Sequence, residues 1–493
     1  MPILIFVIFT LTAICAFIPK QAKNVFNLVL GMGIVSSAVA FYTMIPPLFS
    51  NQILELGGML RIDKFSALIG VLITTLYFFA VLISHRYISE EYREGILNLF
   101  KVRLYYLLLP LFALAMLTVI MADNLGLLWL ALETTTLVTT PLVAIYKKDG
   151  SLEAAWKYMI LCSLGISLGL LGVLLLSYAG VQSGLSGLDS MSIKMLITNA
   201  PKMIPEVMKW AFIFCFIGLG TKVGFFPLHT WLPDAHGRTP APISAMLSGI
   251  LLNVALYALL RVKGITDIAL GSDQWTNNLF LIFGVMSIVA SAFFLFIQRN
   301  YKRMLAYSSM EHMGLIAVAI GLGPLGLVPA TMHMVAHTLS KSLLFFGSGE
   351  ILLHTKTAKI YKIKSLINQL PKTVILFTIG MISLLAFPPF ATFSSEVMIL
   401  SAAITKGQII PFFLIIISLS IICISFFKHA FDMFSHSEDQ TEDSAKIAQA
   451  KEKFNVTHLV MIIQIVLLIA GGIFMFTNTG FDFFSSIADS IYH

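Results

Sequence analysis

The chain has 493 residues, of which 58% are hydrophobic and only 12% charged, with a net charge of +7. A soluble protein of this length needs a charged surface that such a composition cannot supply, so the chain reads as an all-α, polytopic membrane protein. Its apolar runs are long and unbroken, which excludes a β-barrel, and the positive balance fits membrane topology without any call on nucleic acid.

Runs of about 20 apolar residues cross a bilayer as helices. Fourteen are predicted, at 2–18, 24–44, 62–84, 104–122, 124–146, 154–179, 207–229, 241–261, 276–297, 303–322, 327–352, 373–400, 408–431 and 455–477. The first begins at once, without a basic leader or small-residue cleavage site, and reads as a retained helix. The seventh is broken near Gly224 and Pro227, the twelfth at Pro388 and Pro389. Residues 1–103 hold spans one to three, 104–261 spans four to eight, and 262–434 spans nine to thirteen. A charged segment at 435–454 reads as a cytoplasmic linker, and 455–493 hold the last span and a tail.

Lys and Arg are unevenly shared among the connections. The odd-numbered ones carry 22 of the 32 and the even-numbered ones eight. This bias places the odd connections in the cytoplasm and both termini outside. The two remaining cations, Lys222 and Lys341, fall inside predicted spans. The four cysteines (Cys15, Cys162, Cys215 and Cys423) lie singly in apolar runs and read as small core residues. No metal site, cofactor site or phosphate-binding loop is predicted.

An ionisable group at the centre of a membrane helix costs about 2.5–3.5 kcal/mol, so a chain keeps one when it is paired or lines a wet path. Lys222 sits deep in span seven beside the break, and snorkelling to an interface does not suit that depth. Glu133, in LLWLALETTTLVTT, can pair with a lysine, or be a protonated acid bonded to threonine. His333, His337 and Lys341 recur every four residues, which puts them in a slowly winding stripe on one helix face. Histidines leading to a buried lysine suit a proton wire. A His pair at this spacing can also hold a metal, but no third ligand is evident. Glu396 follows the second break as Lys222 accompanies the first, and corresponding breaks in two halves point to an internal repeat with ion sites at half-helix ends. Glu311 and His312 read either as a proton inlet or as an interfacial pair. His229, Asp234, His236 and Arg238 flank the first break, mainly as loop structure, and Ser248 and Asn253 are the polar links in span eight.

TKVGFFPLHTWLPDAHGRTPAPISAMLSG, RNYKRMLAYSSMEHMG and HMVAHTLSKSLLFF together resemble the antiporter-like proton-channel subunits of respiratory complex I, Mrp antiporters and membrane-bound hydrogenases. ALETTTLVTTPL, SSMEHMG and the Ser-Ser-Glu at Glu396 look most like the F subunits of hydrogenase-4 and formate hydrogenlyase-type complexes. The resemblance implies fourteen core helices with two inverted five-helix repeats. It implies that Glu133 and Lys222 are the paired switch of the first half, and Lys341 the central relay lysine reached by His333 and His337. Glu396 is implied as the terminal group, where some relatives place a lysine. His229, Ser248, Asn253, Glu311 and His312 are read as further candidates for the proton path, although some relatives carry a histidine near Ser248 where this chain offers only Ser248 and Asn253. The chain would be a non-catalytic, proton-translocating membrane subunit, in a prokaryotic inner membrane, of a redox complex whose other membrane and peripheral subunits carry the cofactors. An Mrp-type cation/proton antiporter subunit, or an inorganic-carbon uptake subunit partnered by a zinc protein, is the alternative. Proton against sodium stays open at this stage, while the complete set of Glu133, Lys222, Lys341 and Glu396 speaks against a scaffold with a vestigial relay.

Overall fold

The computed structural model describes residues 2–50, 52–147, 149–434 and 452–492. The expected linker at 435–454 lies outside the described residues except from Glu452 onward. Helices lie at each of the fourteen expected spans, one helix for twelve of them and two pieces for spans seven and twelve. α1 (Pro2–Cys15) and α2 (Ala22–Phe49) are followed by a small antiparallel hairpin, β1 (Leu54–Leu56) and β2 (Leu60–Ile62), with Leu54 opposite Ile62. Then come α3 (Lys64–Arg93), α4 (Leu99–Met121), α5 (Leu125–Val143) and α6 (Asp149–Gln182). The next connection contains α7 (Ile193–Asn199), which the apolar runs did not show. Span seven is two pieces, α8 (Pro205–Val223) and α9 (Leu232–Arg238). α10 runs over Ala241–Leu270, well past the expected end at 261, and includes a π-helical turn at Leu247–Leu251. α11 (Gln274–Phe296), α12 (Tyr301–Gly321) and α13 (Pro324–Thr355) precede span twelve, again two pieces, α14 (Pro371–Leu384) and α15 (Ala391–Thr405). α16 (Ile409–Phe434), α17 (Val456–Met475) and an unforeseen amphipathic α18 (Asn478–Asp489) complete the chain.

Local chemistry starts and stops these helices. Asp63, Asn98, Asn124, Asn300 and Asn455 each accept from backbone N–H groups of the first turn that follows, which otherwise lack partners. α8 stops at Gly224, whose φ of +86° suits glycine alone. Its freed carbonyls find partners inside the protein, as they must in lipid. Gly220 O accepts from the Gly224 and Phe225 N–H groups, and Thr221 O from the Trp231 indole at 2.8 Å. The second break is closed in the same way. Ile382 O accepts from Phe387 N, and Ser383 O from Ala386 N and the Thr392 hydroxyl.

α10 is buried along its whole apolar window, while α6, α16 and α17 present leucine, isoleucine and valine outward. Among the described residues nine helices are long and apolar enough to cross a membrane by length and composition. α8, α12 and α13 are long enough but stand outside that set, because polar residues interrupt their apolar sequence.

The structure corrects one expectation about charge. Lys222 and Lys341 are not alone inside: Arg261, Lys263 and Lys302 are also buried. Each has a partner that offsets part of its desolvation. Arg261 pairs with Asp63, and Lys263 with Asp267 at 2.5 Å. The Lys302 amine donates to Thr239 O at 2.6 Å. Arg261 also donates to Ser490 O at 2.9 Å, which ties the segment after α18 to the bundle. Two of the cysteines, Cys15 and Cys423, are only half-buried, because their helix faces point outward.

Candidate functional site

In the first half the site is built on α5, α6 and α8. Lys222 is fully buried in the last turn of α8. Its amine donates to the Thr136 hydroxyl and, at 3.5 Å, to Leu132 O, both on α5. The Tyr158 ring lies 5.6 Å from the amine. Glu133 does not meet Lys222: no ion pair joins them among the described residues. One residue advances about 100° around a helix, so Leu132 and Thr136 face α8 while Glu133 is turned to α6. There one carboxylate oxygen accepts from the Ser163 hydroxyl at 2.6 Å, and the other has no partner. The expected direct Glu133–Lys222 pair is replaced by a lysine seated on a threonine.

The middle of the molecule joins the halves. The Ser248 hydroxyl, in the π turn of α10, lies 2.6 Å from that of Ser309 on α12. π turns recur at functional positions because they displace side chains from the regular helical track. Asn253 donates to the Thr338 hydroxyl at 2.9 Å and to Met334 O at 3.1 Å, linking α10 to α13. His229 lies by the first break, its ring stacked on Phe226 at 5.5 Å. His236 is fully buried between Trp231 and Phe345, with both ring nitrogens unpartnered.

The second half is a closer cluster. The Lys341 amine donates to the Ser308 hydroxyl and, at 3.3 Å, to Leu305 O on α12. This repeats the seat of Lys222, a hydroxyl plus a carbonyl about a turn apart on the neighbouring helix. His337 is one turn from Lys341, with both ring nitrogens unpartnered, and its ring centroid is 5.5 Å from that of His312. His312 Nδ1 lies 2.9 Å from His333 Nε2, and His333 Nδ1 lies 2.8 Å from the Ser395 hydroxyl. Ser395 is next to Glu396. Glu311 and Glu396 line one cavity of about 480 Å³, bounded by residues of α14, α15 and α16 and by the break between α14 and α15.

His312 is thus at the centre of the cluster and not at an interface. Sequence reading missed Thr136, Ser163, Ser308 and Ser395, the hydroxyls that seat the charged and imidazole groups. A signal was available for Thr136, Ser308 and Ser395, each of which lies in a Ser/Thr pair or run inside an apolar stretch, whereas Ser163 stands alone among apolar neighbours. The stripe of His333, His337 and Lys341 stays on one helix face, but its hydrogen bonds cross to α12 and α15. Glu350, by contrast, pairs with Arg86 at 2.5 Å, and Asp234 lies within 3.5 Å of Lys157 and Arg303. These are structural ion pairs outside the cluster.

The profile of the family described as NADH:quinone oxidoreductase/Mrp antiporter, TM, matches residues 122–425. The hydrogenase-4 component F homolog of Methylacidiphilum infernorum (isolate V4) is 37% identical over 355 residues, 72% of this chain and 74% of that protein. In three dimensions the chain is similar to one in the membrane-bound sulfane sulfur reductase, an archaeal respiratory membrane complex. That match has a TM-score of 0.83 at 23% identity, over 100% of this chain and 96% of the other. It is also similar to a chain of the Mrp complex from Dietzia sp. DQ12-45-1b, with a TM-score of 0.83 at 18% identity, over 100% and 97%. At these identities the two structures speak for the fold alone.

Proposed function

Because the chain belongs to the transmembrane family of NADH:quinone oxidoreductase and Mrp antiporter subunits, we propose that it is a proton-translocating subunit of an energy-converting redox complex of the hydrogenase-4 type. One observation carries the reading. Two buried lysines sit in matching seats, and an imidazole cluster runs from the second of them to Glu396. Each seat holds a lysine amine by one hydroxyl and one carbonyl. A change of field at the seat releases the proton. In the second half it passes from Lys341 through His337, His312 and His333 toward Glu396, with water on the unpartnered nitrogens of His337. Glu133, one turn from Thr136 and not in contact with Lys222, acts on the first seat through its charge. Ser248, Ser309 and Asn253 link the halves, 104–261 and 262–434.

A path rich in imidazole suits protons better than sodium, which like other hard cations takes oxygen ligands. The basic residues of the odd connections support a cytoplasmic location for that face, with both termini outside, in a prokaryotic inner membrane. Redox chemistry resides in partner subunits.

The test is Lys222→Ala in the assembled complex. The expected result is loss of coupled proton movement with assembly intact; normal pumping refutes the switch role. Gentle purification followed by mass spectrometry identifies the partners. A nickel–iron hydrogenase pair is expected, and a set of small Mrp-like subunits or a large zinc protein would assign the chain to another complex.

A further inference from the structure

We infer that His312, His333 and Glu396 form a binding site for a divalent d-block cation of the zinc class, and that the bound ion blocks the relay. The three residues come from α12, α13 and α15. One ligand atom of each lies within 4.8 Å of the other two, and all three residues are buried. The i, i+4 pair of His333 and His337 is not the ligand pair. The two imidazoles that meet belong to different helices.

The donor set selects the ion. Two imidazole nitrogens and one carboxylate, with a fourth position open, is a combination zinc takes readily. Sodium, magnesium and calcium prefer oxygen ligands and are disfavoured. Tetrahedral coordination at about 2.0–2.1 Å puts two nitrogens about 3.3 Å apart. The His312 and His333 nitrogens are 2.9 Å apart, so the rings need part by only about 0.4 Å.

A hydrogen bond already orients one of these ligands from outside, and a carboxylate faces the other. The Ser395 hydroxyl donates to Ala391 O or Thr392 O, each at 3.0 Å, so it accepts from His333 Nδ1–H. His333 Nε2 therefore carries a lone pair, and His312 Nδ1–H donates to it. That leaves a lone pair on His312 Nε2, which has no hydrogen-bond partner and lies 3.6 Å from a Glu311 oxygen. Ion binding requires one proton to move from Nδ1 to Nε2 of His312. The ring keeps its proton count, both facing nitrogens become ligands, and the new Nε2–H is directed at Glu311. Glu396 coordinates as the carboxylate and gives up any proton it holds. His333 then donates its outer N–H to Ser395, and the outer N–H of His312 faces the Glu311 carboxylate at 3.6 Å, an orientation of the kind that fixes imidazole ligands at metal sites. Both carboxylates also line the adjoining cavity of about 480 Å³.

The binding claim stands apart from the relay; the blocking claim rests on it. The experiment uses the purified complex, with zinc alone as the probe. After equilibration and gel filtration, metal per chain is counted, and the zinc X-ray absorption edge reports the ligands. The wild type is expected to retain one zinc per chain with two imidazole ligands more than His333→Gln or His312→Gln. Whichever of these two variants assembles decides the matter. Glu311→Gln keeps all three ligands and is expected to bind about 10–100-fold more weakly. Equal zinc in the wild type and the two histidine variants, or zinc without imidazole ligands, overturns the site. Proton uptake in vesicles is measured at saturating zinc and is expected to stop. Zinc bound as described with uptake unimpaired overturns the block and counts against the relay, while leaving the site in place.

Discussion

Thr136→Val tests the first lysine seat with the smallest change available. It deletes one hydroxyl, keeps the branched shape, and leaves untouched the Thr136 carbonyl that accepts from the Thr140 hydroxyl at 2.8 Å. Lys222 has two hydrogen-bond partners among the described residues, and one of them, Leu132 O at 3.5 Å, lies at the limit of a useful hydrogen bond. The Thr136 hydroxyl therefore supplies most of the seat. A hydrogen bond to a charged group contributes about 1.5–3 kcal/mol. At about 1.4 kcal/mol per factor of ten, the seated, charged population of Lys222 falls by roughly 10–150-fold. Proton flux falls by at least about tenfold if each proton passes that seat. The assay is the initial rate of fluorescence quenching in vesicles holding the reconstituted complex, with redox turnover measured in parallel. Thr136→Ser restores the hydroxyl and is expected to pump within about twofold of the wild type. Wild-type rates in both variants would show that Lys222 is not held where the structure puts it, and the seat would be wrong.

Two further outcomes follow from contacts described above. Asp63→Asn keeps a good helix cap but leaves the buried Arg261 without its anionic partner, and is expected to cost about 3–5 kcal/mol, read as a lower melting temperature of the purified complex. Burial pushes the Asp63 carboxyl up, but the Arg261 guanidinium and the Ser66 amide more than offset this and hold it below its usual value. The folded pKa is thus below the unfolded one, so the stabilisation is complete above about pH 4 and fades only as pH falls further. Between pH 5 and 8 the wild-type advantage should stay constant, and a marked change there contradicts the pairing. Ser248→Ala removes the 2.6 Å contact to Ser309 in the π turn, worth about 0.5–1.5 kcal/mol, and should slow proton movement two- to tenfold with assembly unchanged. An unaltered rate would remove Ser248 from the path between the halves.

Much of the fold was legible in the sequence because its signals are local. Apolar run length gave the spans, and Gly224 and Pro388–Pro389 marked the breaks. Asn and Asp residues at helix starts are equally local. What stayed hidden depends on partners distant in the chain. Arg261 reads as a loop cation until Asp63 is seen beside it. His312 reads as interfacial until α13 brings His333 to 2.9 Å. Glu133 and Lys222 show the reverse case: both are buried-span charges, but a single residue's turn around α5 decides that the lysine meets Thr136. The site was therefore visible as a set of charges, while its hydroxyl seats were not.

The polar character of α8, α12 and α13 bears on how the protein is made. A helix carrying Lys222, or Glu311 with His312, or two histidines and a lysine, partitions poorly into lipid on its own. Each needs hydroxyl and imidazole partners that sit on other helices. Such helices cannot be released one at a time from the insertion machinery into the bilayer as stable units. α12 must wait for α13, and α8 must find α5, already in place. Membrane insertion and tertiary folding are therefore a single event for the centre of this molecule, and the residues that suit it to moving charge also set the order in which it is built.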